Sequence, residues 1–154
     1  MSRCSRRTQA LCIRYAPYYV IDLVRFRADA EGVAAHIKRV AELDGKRVKV
    51  FIEQEPGSSG KITVDYFTRR VLKGFKVEGI RSTGSKIDRA RPVAIAASQA
   101  NLLLVEGHWV DDFLDEAAAF PMGPHDDQVD AVSGAFAQAD FEPFQTFSFR
   151  ILDL

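Results

Sequence analysis

Arg47-Val48-Lys49-Val50-Phe51-Ile52-Glu53-Gln54-Glu55-Pro56-Gly57-Ser58-Ser59-Gly60-Lys61 is the stretch on which the fold turns. Residues 47–52 alternate and are rich in β-formers, which predicts a strand running straight into Glu53. Residues 57–60 read as a glycine-serine loop, and residues 61–72 as a helix closed by Gly74. Strand, loop and helix in that order begin a crossover unit, which joins parallel strands.

The same alternation extends in both directions. Upstream, residues 28–43 place Val33, Ile37, Val40 and Leu43 three or four apart, a helical stripe ended by Asp44-Gly45. Before them, residues 10–15 and 18–26 read as an antiparallel hairpin turning at Ala16-Pro17. Downstream, residues 75–80 form a strand and residues 85–100 a helix with a break or restart near Pro92. Residues 102–105 read as a short buried strand. Residues 109–120 form a helix with Trp109, Phe113, Leu114 and Ala117 on one side, and residues 125–139 a last helix. The expected architecture is α/β, one mixed sheet with helices on both faces. Residues 1–8 read as a disordered basic tail, 9–140 as the domain, and 141–154 as an aromatic-rich extension without assignment.

Composition sets outer limits. The 154 residues contain 21 Lys+Arg and 21 Asp+Glu, so bulk positive charge cannot hold nucleic acid. Contact with it must come from a local basic patch or through metal ions. With 47% hydrophobic and 27% charged residues the chain has the means to build a core. No apolar run approaches the roughly 20 residues of a membrane span. Cys4 and Cys12 have neither metal-ligand spacing nor the look of a disulfide framework, so a cytoplasmic setting is the default.

Several residues could carry chemistry. Glu53 stands at the C-terminal end of a strand, where ligands gather in open α/β sheets; the plain alternative is the start of a solvated loop. His125-Asp126-Asp127-Gln128-Val129-Asp130-Ala131 places three carboxylates at a helix start. The helix dipole favours acids there, and Asp126 or His125 could cap the helix. Asp130, a turn further in, needs another reason. Asp126 with Asp130, or Asp127 with Asp130, would share a helix face and repel unless a divalent cation sat between them. Oxygen ligands of this kind suit Mg²⁺ or Mn²⁺. On a helical wheel Asp126 and Asp130 flank the buried face marked by Val129, Val132 and Phe136, whereas Asp127 points away.

Residues 55–61 have the look of a phosphate-binding loop but depart from the Walker A pattern in glycine spacing and in Ile62. Lys61 and the loop amides could meet a phosphate, or the loop could only cap a helix. Arg81, Lys86, Arg89 and Arg91 form a basic stretch that reads equally as a phosphate contact or a solvated surface. Trp109 reads as core.

With these segments assembled, the chain resembles the nuclease domain of phage terminase large subunits. Residues 51–61 are similar to that family's "I-E-Q-x-P-G-x-x-G-K" stretch, and residues 120–131 to its "F-P-x-G-x-H-D-D-x-V-D-A" stretch. Arg81-Ser82-Thr83-Gly84-Ser85-Lys86 and Arg89-Ala90-Arg91-Pro92 fall between them in order. The resemblance implies an RNase H-like fold and a metal-dependent endonuclease that cuts concatemeric viral DNA during packaging. It implies a two-ion Mg²⁺ or Mn²⁺ site on Glu53, Asp126, Asp127 and Asp130, with Glu53, Asp127 and Asp130 catalytic and His125 supporting. Lys61, Arg81, Lys86 and Arg89 would position double-stranded viral DNA. The implied partners are the terminase ATPase domain or small subunit and the portal protein, with no membrane. The D-x-x-D-A form at residues 127–131 is also similar to a resolvase motif, which leaves a junction nuclease as an alternative.

Two departures shape the expectation. The chain has no Walker motifs, so it should not translocate DNA by itself. The family's fold opens with a strand bearing a metal-binding Asp, and no acidic residue precedes Asp22. The chain therefore reads as N-terminally truncated, its first strand missing from the place beside the Glu53 strand. A catalytically incomplete docking part of the packaging machine is the second alternative.

Overall fold

The computed structural model describes residues 17–54, 57–139 and 147–150. Along the chain run β1 (Tyr18–Val20), α1 (Ala30–Asp44), β2 (Lys49–Glu53) and α2 (Ser58–Tyr66), which continues as a π-helical turn (Phe67–Val71). Then come β3 (Lys76–Ile80), α3 (Lys86–Ser98), β4 (Leu102–Leu104), α4 (Val110–Ala119), α5 (Asp127–Ala139) and β5 (Phe147–Arg150).

β2 is the centre of a three-stranded sheet of order β3-β2-β5, and β1 pairs with β4 in a second sheet. All of these pairs are parallel. Val50, Phe51 and Ile52 are buried one after another, so both faces of β2 are covered. Val50 and Ile52 join Val33, Ile37 and Ala41 of α1 in one core cluster with Phe67 and Leu72. The π turn has a local reason. The Leu72 N–H bonds the Phe67 carbonyl at 2.7 Å, and the wider turn brings these two residues, five apart, onto one buried side. α1 stops where expected, at Gly45, whose φ of 86° suits a residue without a Cβ and whose N–H returns to the Ala41 carbonyl.

A second cluster holds Ala90 of α3, Trp109 and Phe113 of the α4 segment, and Val129 and Val132 of α5. Trp109 is core, as its sequence context indicates. Tyr18 of β1 sets its ring 4.6 Å from that of Phe136 on α5.

The structure corrects several expectations. The hairpin does not extend over 18–26. β1 is three residues long because its partner β4 is, and Ile21, Val24 and Phe26 beyond it are exposed. The antiparallel arm, residues 10–15, lies outside the described residues, as does the basic tail 1–8. β4 is half-buried, not buried. The expected loop 57–60 is largely helix, since α2 begins at Ser58. α3 runs through Pro92 without a break. The carbonyl that loses its N–H partner there belongs to exposed Asp88, where water can replace it. On α4 the buried positions are Phe113 and Glu116, whereas Leu114 and Ala117 face out.

The extension 141–154, unassigned from sequence, contributes β5. Its register on β2 pairs Lys49 with Phe147 and Ile52 with Arg150. This is the free side of the Glu53 strand, the place where the first strand was expected.

Candidate functional site

The late aspartates are presented by the N-terminus of α5, and that end is fastened by a residue of α4. Glu116, its side chain 4% exposed, accepts the backbone N–H groups of Gln128 at 2.7 Å and Val129 at 3.0 Å. Its second oxygen accepts the Gln128 side-chain amide at 3.0 Å. A carboxylate therefore satisfies helix-terminal donors from outside the helix. The expected caps, Asp126 and His125, do not perform this task with their side chains. Asp126 uses its backbone carbonyl, which receives the Asp130 N–H at 2.9 Å. Glu116 had no signal of its own in the sequence beyond falling three residues after Phe113.

Fixed in this way, the three aspartates diverge. Lys86 Nζ lies 2.6 and 2.7 Å from the two oxygens of Asp126 and 3.5 Å from Asp130. Arg89 donates to Asp130 at 2.9 Å, and its other arm reaches the Gly84 carbonyl. Asp127 turns to Arg25, 3.4 Å away, and Arg25 also approaches Glu116 at 3.6 Å. The two pairings left open by the sequence are thus geometrically distinct. Asp126 and Asp130 converge on one cation, and Asp127 does not join them. Hydrogen bonding to Asp126, reinforced by the charge of Asp130, raises the Lys86 ammonium above its ordinary value of 10.5.

Glu53 sits elsewhere on the same connection. Ser82, in the β3–α3 loop, donates its hydroxyl to Glu53. That loop leads directly into Lys86 and Arg89. Glu53 and the late aspartates therefore flank one loop, joined through it and not in direct contact. Among the described residues no group of three or more His, Cys, Asp or Glu side chains comes together as a metal site. The Asp126–Asp130 pair offers oxygen donors of the kind a hard cation takes, and in the structure both carboxylates lie against the Lys86 ammonium. Glu53 does not complete that set here.

The remaining residues singled out from sequence separate. His125 lines a cavity of about 390 Å³ with Arg25, Glu116 and Gln128, and has no hydrogen-bonding partner among the described residues. Lys61 and Arg81 line a different cavity, of about 470 Å³, beside Ser82. Lys86 and Arg89 are engaged with aspartates, and Arg91 lies 3.4 Å from Asp88.

The described residues, with parallel strand pairs, five α-helices and acidic residues at the end of β2 and at the start of α5, have the α/β framework of an RNase H-like protein. The model of the terminase RNase H-like domain family matches residues 13–139, and the chain belongs to that family. The family gives it a terminase nuclease-type role, with DNA as the general substrate and a packaging motor as the general partner. No curated protein and no solved structure matches the chain. No described helix is long and apolar enough to cross a membrane.

Proposed function

We propose that this domain is a metal-dependent DNA endonuclease that cuts concatemeric viral DNA during packaging, with Asp126 and Asp130 as its principal metal-holding pair. The convergence of these two carboxylates on one cation, at a helix end fixed by a buried acid, carries the reading. Asp126 and Asp130 would hold Mg²⁺ or Mn²⁺, which supplies an activated water and charge neutralisation at the phosphodiester. Asp130, its side chain 11% exposed, is the less adaptable of the two. Asp127 steadies Arg25 against Glu116. Glu53, approached through Ser82, serves the same strand of DNA from the other side of the β3–α3 loop. Lys86 holds the pair in the structure, and a bound ion would have to take its place.

The separation of Glu53 from the aspartates favours one competing reading, a packaging part that docks without cutting. Plasmid cleavage with Mn²⁺ or Mg²⁺ separates the two. The nuclease reading expects metal-dependent nicking, abolished by EDTA and reduced about a hundredfold or more by Asp130→Asn. A folded chain that binds DNA but never nicks it would establish the docking reading instead.

A further inference from the structure

The chain carries no net charge, with 21 Lys+Arg and 21 Asp+Glu, yet the fold gathers unpaired charges into two patches of opposite sign. We propose that these patches meet between copies, so that the basic end of one chain docks on the acidic face of α4 of the next.

The basic patch lies at the N-terminal ends of β2 and β3, the end of the sheet away from Glu53. Lys46, Arg47, Arg70, Lys73 and Lys76 are all exposed there, and none has an ion-pair partner among the described residues. Lys46 Nζ reaches Gly74, so the turn before β2 adjoins the turn before β3. In the ladder Lys76 stands opposite Lys49, and like charges in that position repel. Glu78 compensates Lys49 at 2.8 Å and leaves Lys76 without an ion pair. Asp65 is taken by Arg69. Glu42 and Asp44, at the end of α1, bring two acids to this end, which leaves the patch positive. Protection of a sheet edge accounts for Lys76 on β3, but not for Lys46, Arg47 and Lys73 in the turns.

The acidic patch is the outer face of α4. Asp111, Asp112 and Asp115 are exposed, with Glu106 in the turn before the helix, and none is ion-paired among the described residues. The helix dipole accounts for Asp111 and Asp112 in the first turn. It does not account for Asp115, three and four residues further on, which both of them repel. Arg25 shares a cavity with Asp112 and Asp115 but is engaged with Glu116 and Asp127.

Each patch adds apolar surface to its charge. Leu43, 78% exposed, stands at the end of α1 before the basic turn, and Leu114, 49% exposed, lies between Asp111 and Asp115 on the same side of α4. An apolar centre within a charged rim is the make-up of a protein interface. DNA would answer the basic patch alone and leave the acidic face and both leucines unmatched. A second copy answers all of them. Because the two patches differ, the contact is head-to-tail and can repeat.

The inference is independent of the nuclease reading, and its test needs no cleavage. Sedimentation velocity of the full chain is measured over a concentration and salt series, with far-ultraviolet circular dichroism to check folding. The wild type should self-associate at about 20 mM salt and dissociate at about 0.5 M. Asp111→Lys/Asp115→Lys reverses the acidic patch, and Arg70→Glu/Lys73→Glu reverses part of the basic one. Each variant alone should associate about tenfold more weakly than the wild type. An equimolar mixture should regain association, because each altered face then meets a face of opposite charge. Leu114→Ser, at an exposed position, should weaken association without charge reversal. A wild type that is monomeric at every salt concentration would overturn the proposal. So would association that the reversals leave unchanged, or folded variants whose mixture stays monomeric. Labelled duplex binding in EDTA that is lost in Arg70→Glu/Lys73→Glu, with the wild type monomeric, would assign the basic patch to DNA in place of a second copy.

Discussion

Glu116 accepts the backbone N–H of Gln128 at 2.7 Å, so a buried carboxylate on α4 determines where α5 begins. The same oxygen takes the Val129 N–H, and Arg25 bridges from Glu116 to Asp127. The positions of all three late aspartates descend from this one anchor.

Glu116→Ala removes the acceptor and leaves two backbone donors and a side-chain amide unsatisfied in a buried place. The expected cost is about 2–4 kcal/mol in urea unfolding. Glu116→Gln keeps an oxygen for the backbone groups and should cost less than half as much. Equal losses in the two variants would mean that Glu116 acts through charge on Arg25 and not through the helix end.

β5 covers the side of β2 opposite β3, and its absence would expose the edge of the strand that carries Glu53. Removing residues 141–154 should lower stability by about 2 kcal/mol, from a few ladder hydrogen bonds. It should also speed amide exchange within β2 more than within α4. Unchanged exchange in β2 would mean that another segment takes the place of β5.

Much of this was legible in the sequence because the relevant signals are local. The Val33–Ile37 stripe, the alternation into Glu53 and the Gly45 stop each follow from neighbouring residues, and each element formed. What could not be read depends on distant partners. Nothing in the residues around Glu116 singles it out, because its partners are the Gln128 and Val129 N–H groups of α5. Ser58 and Ser59 read as loop because nothing local distinguishes a flexible turn from an uncapped helix start. The strand expected over 18–26 had the right residues, but β4 offers a partner only to Tyr18–Val20. β5 is defined by its pairing with a strand about a hundred residues earlier, which no local pattern encodes. For the candidate site, the spacing of Asp126, Asp127 and Asp130 showed that two must face together. The helical wheel set Asp126 and Asp130 apart from Asp127, whereas the resolvase-like form paired Asp127 with Asp130; in the structure Lys86 contacts Asp126 and Asp130, and Arg25 contacts Asp127.

At the start of α3, Ser85 Oγ accepts the Asp88 N–H and donates to the Asp88 carboxylate at 2.6 Å. That hydrogen bond, with Arg91 nearby, holds Asp88 below its ordinary value of 3.8. A depressed carboxyl contributes stability above its unfolded-state value, and the contribution fades as pH falls through the lower folded-state value. Ser85→Ala removes both the N-cap acceptor and this hydrogen bond and should destabilise the protein at neutral pH. The gap to wild type should narrow once the pH passes below 3.8, as read from urea midpoints. A constant gap would assign the whole effect to the backbone cap.

Lys86 provides the sharpest test of the aspartate pair. Its ammonium touches both oxygens of Asp126 and approaches Asp130, and these contacts raise its affinity for the proton. A divalent ion entering the pair has to displace it. Lys86→Met removes the competitor while keeping the length of the stem, so Mn²⁺ should bind about fivefold more tightly, the scale of one exposed ion pair. Lys86→Arg, which retains the charge, should stay near the wild type. Both affinities can be read from the electron paramagnetic resonance signal of free Mn²⁺, without DNA or cleavage. Weaker binding in Lys86→Met would mean that the lysine organises the carboxylates and does not merely occupy them. Asp126 and Asp130 would then be a structural ion pair, and the metal would have to be sought nearer Glu53.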